Sequence, residues 1–114
     1  MQLETKKYLA DALAAAEKVL RYTAGKTLDD YRSDDMLRSA VERQFVTIGE
    51  AMVRLRSQSL ATFSRISDQR RIVRFRNIVV HGYDVLSHET VWDVVQQHVP
   101  ILRTELRSLL AGST

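Results

Sequence analysis

Residues 76–84 read RNIVVHGYD, a run in which Arg76, Asn77, His81 and Tyr83 surround three β-branched apolar residues and a glycine. A histidine that titrates near neutrality beside a guanidinium holds the two parts needed to cleave RNA. The imidazole can carry a proton to or from the ribose 2′-hydroxyl or the leaving 5′-oxygen, and the guanidinium can stabilise charge on a pentacoordinate phosphate. That chemistry requires no metal. The same spacing also fits a histidine that merely caps a helix and an arginine that snorkels at the rim of a core, and R-x-x-x-x-H arises by chance in many chains.

An ideal helix separates these groups. At 100° per residue Arg76 falls inside the arc of Ile72, Val73, Val79 and Val80, whereas His81 lies about 140° away, aligned with Asn77 and Arg74. An arginine aimed among apolar side chains needs a partner or a wet cleft, because an unpaired buried charge is expensive. A polar seam between two subunits would meet that need. His81 stands just before Gly82, where the negative end of the helix dipole favours imidazolium.

The elements that must position these residues are helical. Leu9, Leu13, Ala16 and Leu20 form a stripe in an Ala-rich stretch, which predicts a first helix over about residues 3–24, ending near Gly25. The segment TLDDY suits a short turn of helix over 27–32, and Ser33 followed by two aspartates marks another start. Leu37, Val41, Phe45, Ile48, Met52 and Leu55 share one face of a second long helix, about 34–57. Gly49 lies inside it, which predicts a close approach by another part of the chain. Residues 57–68 read as a connection with an irregular turn. Helical pattern resumes at Gln69 and stops at Gly82. A last helix begins near Ser87, carries Val91, Val95, Val99, Leu102, Leu106 and Leu109 on one face, and is kinked or split at Pro100. The expected architecture is all-α: an up-and-down bundle of four to five antiparallel helices in one domain, residues 1–114.

The chain has no cysteine, so it offers neither disulfides nor a thiolate metal site. Its N-terminus is too polar for a signal peptide or a membrane span, and a cytoplasmic protein without membrane contact is expected. The formal net charge is +3, but its distribution is uneven. Residues 51–83 hold seven arginines against Asp68 alone. Beside a possible reactive site such an excess favours an anionic polymer or nucleotide as partner, although by charge alone a solvated face is the better account.

The string RNIVVHGY resembles the R-x4-H-x-Y signature of the HepT family of HEPN-domain ribonuclease toxins, which are paired with small MntA-type nucleotidyltransferase antitoxins. LDDYRSDDMLRSAVERQFVTIGEA, at 28–51, is similar to the family's second-helix region with its I-G-E-A motif, and VW at 91–92 with VPIL at 99–102 is similar to its last helix, proline included. The resemblance implies a HEPN-like bundle and a metal-independent endoribonuclease toxin of a type VII toxin-antitoxin pair, acting on RNA without a cofactor. It implies Arg76 and His81 as the catalytic pair, Asn77 as polar support, and Tyr83 as the tyrosine to which the partner transfers AMP. It further implies a homodimer whose catalytic groups meet in a cleft between subunits. Where many relatives have I-P-W ahead of the motif, this chain has ISDQRRIVRF, and Arg70, Arg71 and Arg74 there could line an RNA path.

Other constellations are weaker. His81, Asp84 and His88 have metal-ligand spacing only if one helix holds all three, which Gly82 prevents, so no metal site is expected. His98 falls on the apolar stripe as a core or dimer-seam residue. Glu50 and Arg54 suit a local i, i+4 ion pair, although a link from Glu50 to the arginine segment is conceivable. A different class of function also fits: a non-catalytic helical adaptor for a minimal nucleotidyltransferase.

Overall fold

The computed structural model describes residues 1–82 and 86–112. Its long helices are those the apolar stripes demand: α1 (Leu3–Thr23), α3 (Asp35–Gln58), α5 (Gln69–His81) and a final segment made of α6 (His88–Asp93), a π-helical turn (Val94–His98) and α7 (Val99–Ala111). Two short helices, α2 (Leu28–Ser33) and α4 (Leu60–Phe63), lie in the connections. No strand occurs among the described residues, and the fold is an all-α bundle. No helix among them is long and apolar enough to cross a membrane.

Local chemistry sets the boundaries. Thr27 and Asp30 form a reciprocal capping box that starts α2. Ser33, expected to start the next helix, instead returns its hydroxyl to the Asp29 carbonyl at 2.9 Å and closes α2. Asp34 caps α3, accepting from the Leu37 amide at 3.1 Å. Gly82, at φ 64°, ends α5 in the left-handed conformation, its amide donating to the Ile78 carbonyl at 2.8 Å.

The split expected at Pro100 takes a specific form. Proline has no amide to donate and its ring crowds the carbonyl four residues earlier, that of Gln96. The chain widens into a π turn over Val94–His98 and resumes α geometry at Val99 without changing element. His98 is thereby placed at the junction.

Packing is centred on α3. Its buried residues Val41, Ile48, Met52 and Leu55 share one core with Leu9, Ala12, Ala16 and Val19 of α1, the helix it packs against, where Ala12 and Ala16 are small. On its other side α3 carries α5, with the rings of Phe45 and Phe75 4.8 Å apart. The last helix closes the bundle against α1. Tyr31 of α2 is wholly buried beneath Trp92 and His88, and Arg32 pairs with Glu89, so α2 is fixed to α6. Burial pushes the Tyr31 phenol far above its ordinary value.

Helix α5 is the least covered of the long helices. Phe75 and Ile78 are its only buried residues, and Val80 is 43% exposed. It is held to α3 by one unusually close contact: a Cβ placed on Gly49 would fall inside the stem of Arg76, overlapping that residue's Cβ and Cγ. Gly49→Ala should therefore destabilise the protein by roughly 1–3 kcal/mol despite alanine's better helix propensity. Because the overlap includes the Arg76 Cβ, Arg76→Ala should not rescue it. Thermal melts of the single and double variants check both statements, and a wild-type melting temperature for Gly49→Ala would contradict the packing.

Candidate active site

Gly49 determines where Arg76 goes. With no side chain in the way, the Arg76 stem lies flat on the α3 backbone and its guanidinium emerges beside the next residue of that helix. Arg76 Nη2 donates to Glu50 Oε1 at 2.5 Å, and Nη1 donates to Asn77 Oδ1 at 2.8 Å. The side chain is 19% exposed and its Nε is buried, with no hydrogen-bond partner among the described residues. Arg76 thus has the partner that its place among apolar residues required.

That partner is not the one the spacing favoured. Glu50 was expected to pair with Arg54 one turn along α3; its ion pair runs instead to Arg76 of α5. The adjacent guanidinium holds the Glu50 carboxyl below the usual carboxylate range, and Arg54 and Arg43 add smaller contributions in the same direction. The I-G-E sequence gives the two parts of one device: a glycine that admits the arginine and a glutamate that receives it.

His81 occupies the last position of α5 and is exposed. One helical face aligns Arg70, Arg74, Asn77 and His81 within an arc of about 60°. The first three border an open groove walled by Arg56, Leu60 and Phe63, and the Arg56 guanidinium lies 5.8 Å from the Phe63 ring centroid. Asn77 belongs to both assemblies, touching Arg76 on one side and lining the groove on the other. The groups proposed for chemistry are therefore contiguous in one sense only. Arg76 and His81 share a helix and are linked through the Asn77 face, but they project in directions about 140° apart.

Two expectations take a different form. Tyr83 and Asp84 lie outside the described residues. Arg71, grouped with Arg70 and Arg74 as a possible RNA contact, points to the opposite side, where its Nη1 lies 2.7 Å from His98 Nε2. His98 Nδ1 is 2.7 Å from Asp68 Oδ2, so the imidazole bridges the two. An N–H on Nδ1 donating to the carboxylate leaves the Nε2 lone pair to accept from the guanidinium. Asp68 adopts φ 58°, an uncommon conformation for a residue with a side chain, and its carboxylate makes no capping bond to α5. Ser67 adds a second tie, its amide and hydroxyl both donating to Glu105 of α7. The loop that launches α5 is thus fastened to the last helix by polar side chains. His98 is a half-buried polar bridge rather than an apolar core residue.

The described residues thus form a helical bundle with an arginine-lined groove and an arginine and a histidine five residues apart on its least covered helix. Residues 12–109 match the family model "Ribonuclease HepT-like", and the chain belongs to that family. It is 26% identical over 112 residues to the "Probable ribonuclease HepT" of Thermococcus cleftensis, covering 96% of this chain and 98% of that one. It is 27% identical over 103 residues to a "Putative RNase" of Methanocaldococcus jannaschii, covering 90% and 94%. A third relative, from the same organism, is named "Gamma-glutamylcyclotransferase and putative RNase"; it is 28% identical over 110 residues, and the chain spans 49% of its length. No solved structure matches significantly.

Two measurements test this geometry. Since the folded-state pKa of Glu50 is depressed, its stabilising contribution is complete above the unfolded value, about 4.3, and is lost as pH falls through the lower folded one. The difference in melting temperature between the wild type and Glu50→Gln should accordingly be present at pH 7 and shrink in acid; a difference independent of pH would show that the charge is immaterial. For the loop tie, Asp68→Ala and His98→Ala should be non-additive, with a coupling of about 1 kcal/mol in a double-mutant cycle. Strict additivity would separate the two residues.

Proposed function

We propose that this chain is a metal-independent endoribonuclease toxin that works as a homodimer, with Arg76 and His81 as its catalytic pair. The observation that carries the reading is the treatment of Arg76. A guanidinium set among apolar neighbours is held by Glu50 and Asn77 with hydrogens to spare, on the helix that also carries an exposed histidine. Membership of the HepT-like ribonuclease family supports the reaction class.

In this reading, His81 takes the proton of a ribose 2′-hydroxyl, and the resulting oxygen attacks the adjacent phosphorus while the P–O5′ bond breaks. Arg76 neutralises the charge that builds on the non-bridging oxygens. The 5′-oxygen leaves with a proton supplied by a second imidazole or by water, giving a cyclic 2′,3′-phosphate and a 5′-hydroxyl. Two copies related by a twofold axis along α5 would bring together groups that one helix holds about 140° apart, and Val80 and Leu60 would lose their exposure in the process. Arg70 and Arg74, on the Asn77 face, suit the phosphates of a bound strand. Arg71 is committed to His98 and is left out of that path.

Regulation belongs to the same proposal. Tyr83 stands two residues beyond His81, and an MntA-type nucleotidyltransferase partner would transfer AMP to its hydroxyl. The bulky anion would obstruct the cleft and repel the substrate's phosphates.

Purified protein should cut RNA in the presence of EDTA, and Arg76→Ala or His81→Ala should each lower the rate at least about a hundredfold while circular dichroism stays that of a folded bundle. Cleavage that survives both substitutions would reject the mechanism. Absence of any cleavage by folded wild-type dimer would favour the adaptor role instead. After co-expression with the nucleotidyltransferase, the intact mass should rise by AMP, mapped to Tyr83.

A further inference from the structure

We propose that Glu50 is a positioning residue for Arg76 in this reaction; the proposal rests on the ribonuclease reading above. Three observations bear on it. First, Glu50 follows the one residue of α3 whose lack of a side chain admits the Arg76 stem, so glycine and carboxylate act on the same side chain from consecutive positions. Second, the guanidinium is constrained at both ends, by Glu50 on Nη2 and by Asn77 on Nη1. Third, its Nε is buried. An arginine has five N–H donors. Two are engaged here and a third is buried, which leaves one hydrogen on each terminal nitrogen. Those hydrogens remain to meet phosphate oxygens, on a guanidinium held in place from two sides before substrate arrives.

A purely stabilising role explains this arrangement poorly. Glu50 is 42% exposed, and an ion pair with one member in water returns little stability. Against that small return stand a glycine in a helix interior and an arginine where the surrounding arc is apolar. What the arrangement does supply is a guanidinium with one orientation. The carboxylate also offsets the positive charge until a phosphate enters, so Glu50 should favour aim over raw affinity.

The test uses the full-length protein, expressed without its partner, on a defined single-stranded RNA oligonucleotide. Glu50→Ala should lower kcat about tenfold with KM unchanged or reduced, because the loosened arginine still attracts phosphate. Glu50→Gln, which keeps an acceptor oxygen at the same reach, should restore most of kcat. Circular dichroism confirms that both variants are folded. A wild-type kcat for Glu50→Ala, or a loss that appears only as a raised KM, or one that glutamine fails to restore, would overturn the proposal. Arg76→Ala run in parallel distinguishes the two levels. If it abolishes cleavage while Glu50→Ala cleaves normally, the role of Glu50 alone is rejected; if it cleaves normally, Arg76 is not catalytic, and the proposed mechanism falls and takes this proposal with it.

Discussion

The contact between Gly49 and the stem of Arg76 is the constraint on which the rest of this molecule turns. It lets α3 and α5 approach closely, and it gives the aliphatic stem of Arg76 room to lie against α3 so that the guanidinium emerges beside Glu50. A glycine in a helix interior costs about 1 kcal/mol relative to alanine, and a partly exposed ion pair contributes about 0–1 kcal/mol. The pair at this junction does not offset its own cost with any margin. The stability of the bundle must come from elsewhere, from the α1–α3–α7 interior of Leu9, Val19, Val41, Ile48, Met52, Leu102 and Leu106. The interior is ordinary apolar packing, and it is this packing that tolerates an expensive junction at the edge.

The seven arginines of residues 51–83 illustrate how a charge excess divides into distinct tasks once the chain folds. Arg76 is turned inward and ion-paired. Arg71 is drawn across to His98 and helps fasten the loop before α5. Arg56 lies over Phe63 and, with Arg70 and Arg74, borders the open groove. Net charge alone could not reveal this division, because the face on which each guanidinium emerges depends on rotation about α5, and a step of one residue moves a side chain by 100°. Arg70 and Arg71 are neighbours in sequence and serve opposite sides of the helix.

Much of the architecture was legible from the sequence because apolar periodicity is a direct record of burial. The stripe from Leu37 to Leu55 and the one from Val91 to Leu109 are the buried faces of α3 and of the last helix. The glycine at 49 was readable as a close approach, since few other causes place glycine amid so regular a pattern. The partner of Glu50 was less accessible. An i, i+4 arginine is the nearest cation in sequence, and only the three-dimensional crossing of α3 and α5 shows that one 26 residues away is nearer in space. The His98 bridge was hidden for a similar reason. Its position fits the stripe when α periodicity is carried through Pro100, but the π turn adds a residue to that turn and displaces His98 to the rim, within reach of Asp68 and Arg71.

The half-covered state of α5 joins these strands. A thirteen-residue helix that buries only Phe75 and Ile78 has a second apolar edge, with Val73 and Val79 half-buried and Val80 open. Its polar face carries Arg70, Arg74, Asn77 and His81, and the two faces meet along the helix. A twofold axis placed on that boundary would cover the apolar edge and, by the same motion, bring each protomer's histidine toward the arginine of the other. In the proposed homodimer the second copy would complete the site. The loop ties through His98 and Glu105 fix the start of α5 to the last helix, and in the proposed dimer they would let a site assembled from two copies take its precision from two well-packed interiors.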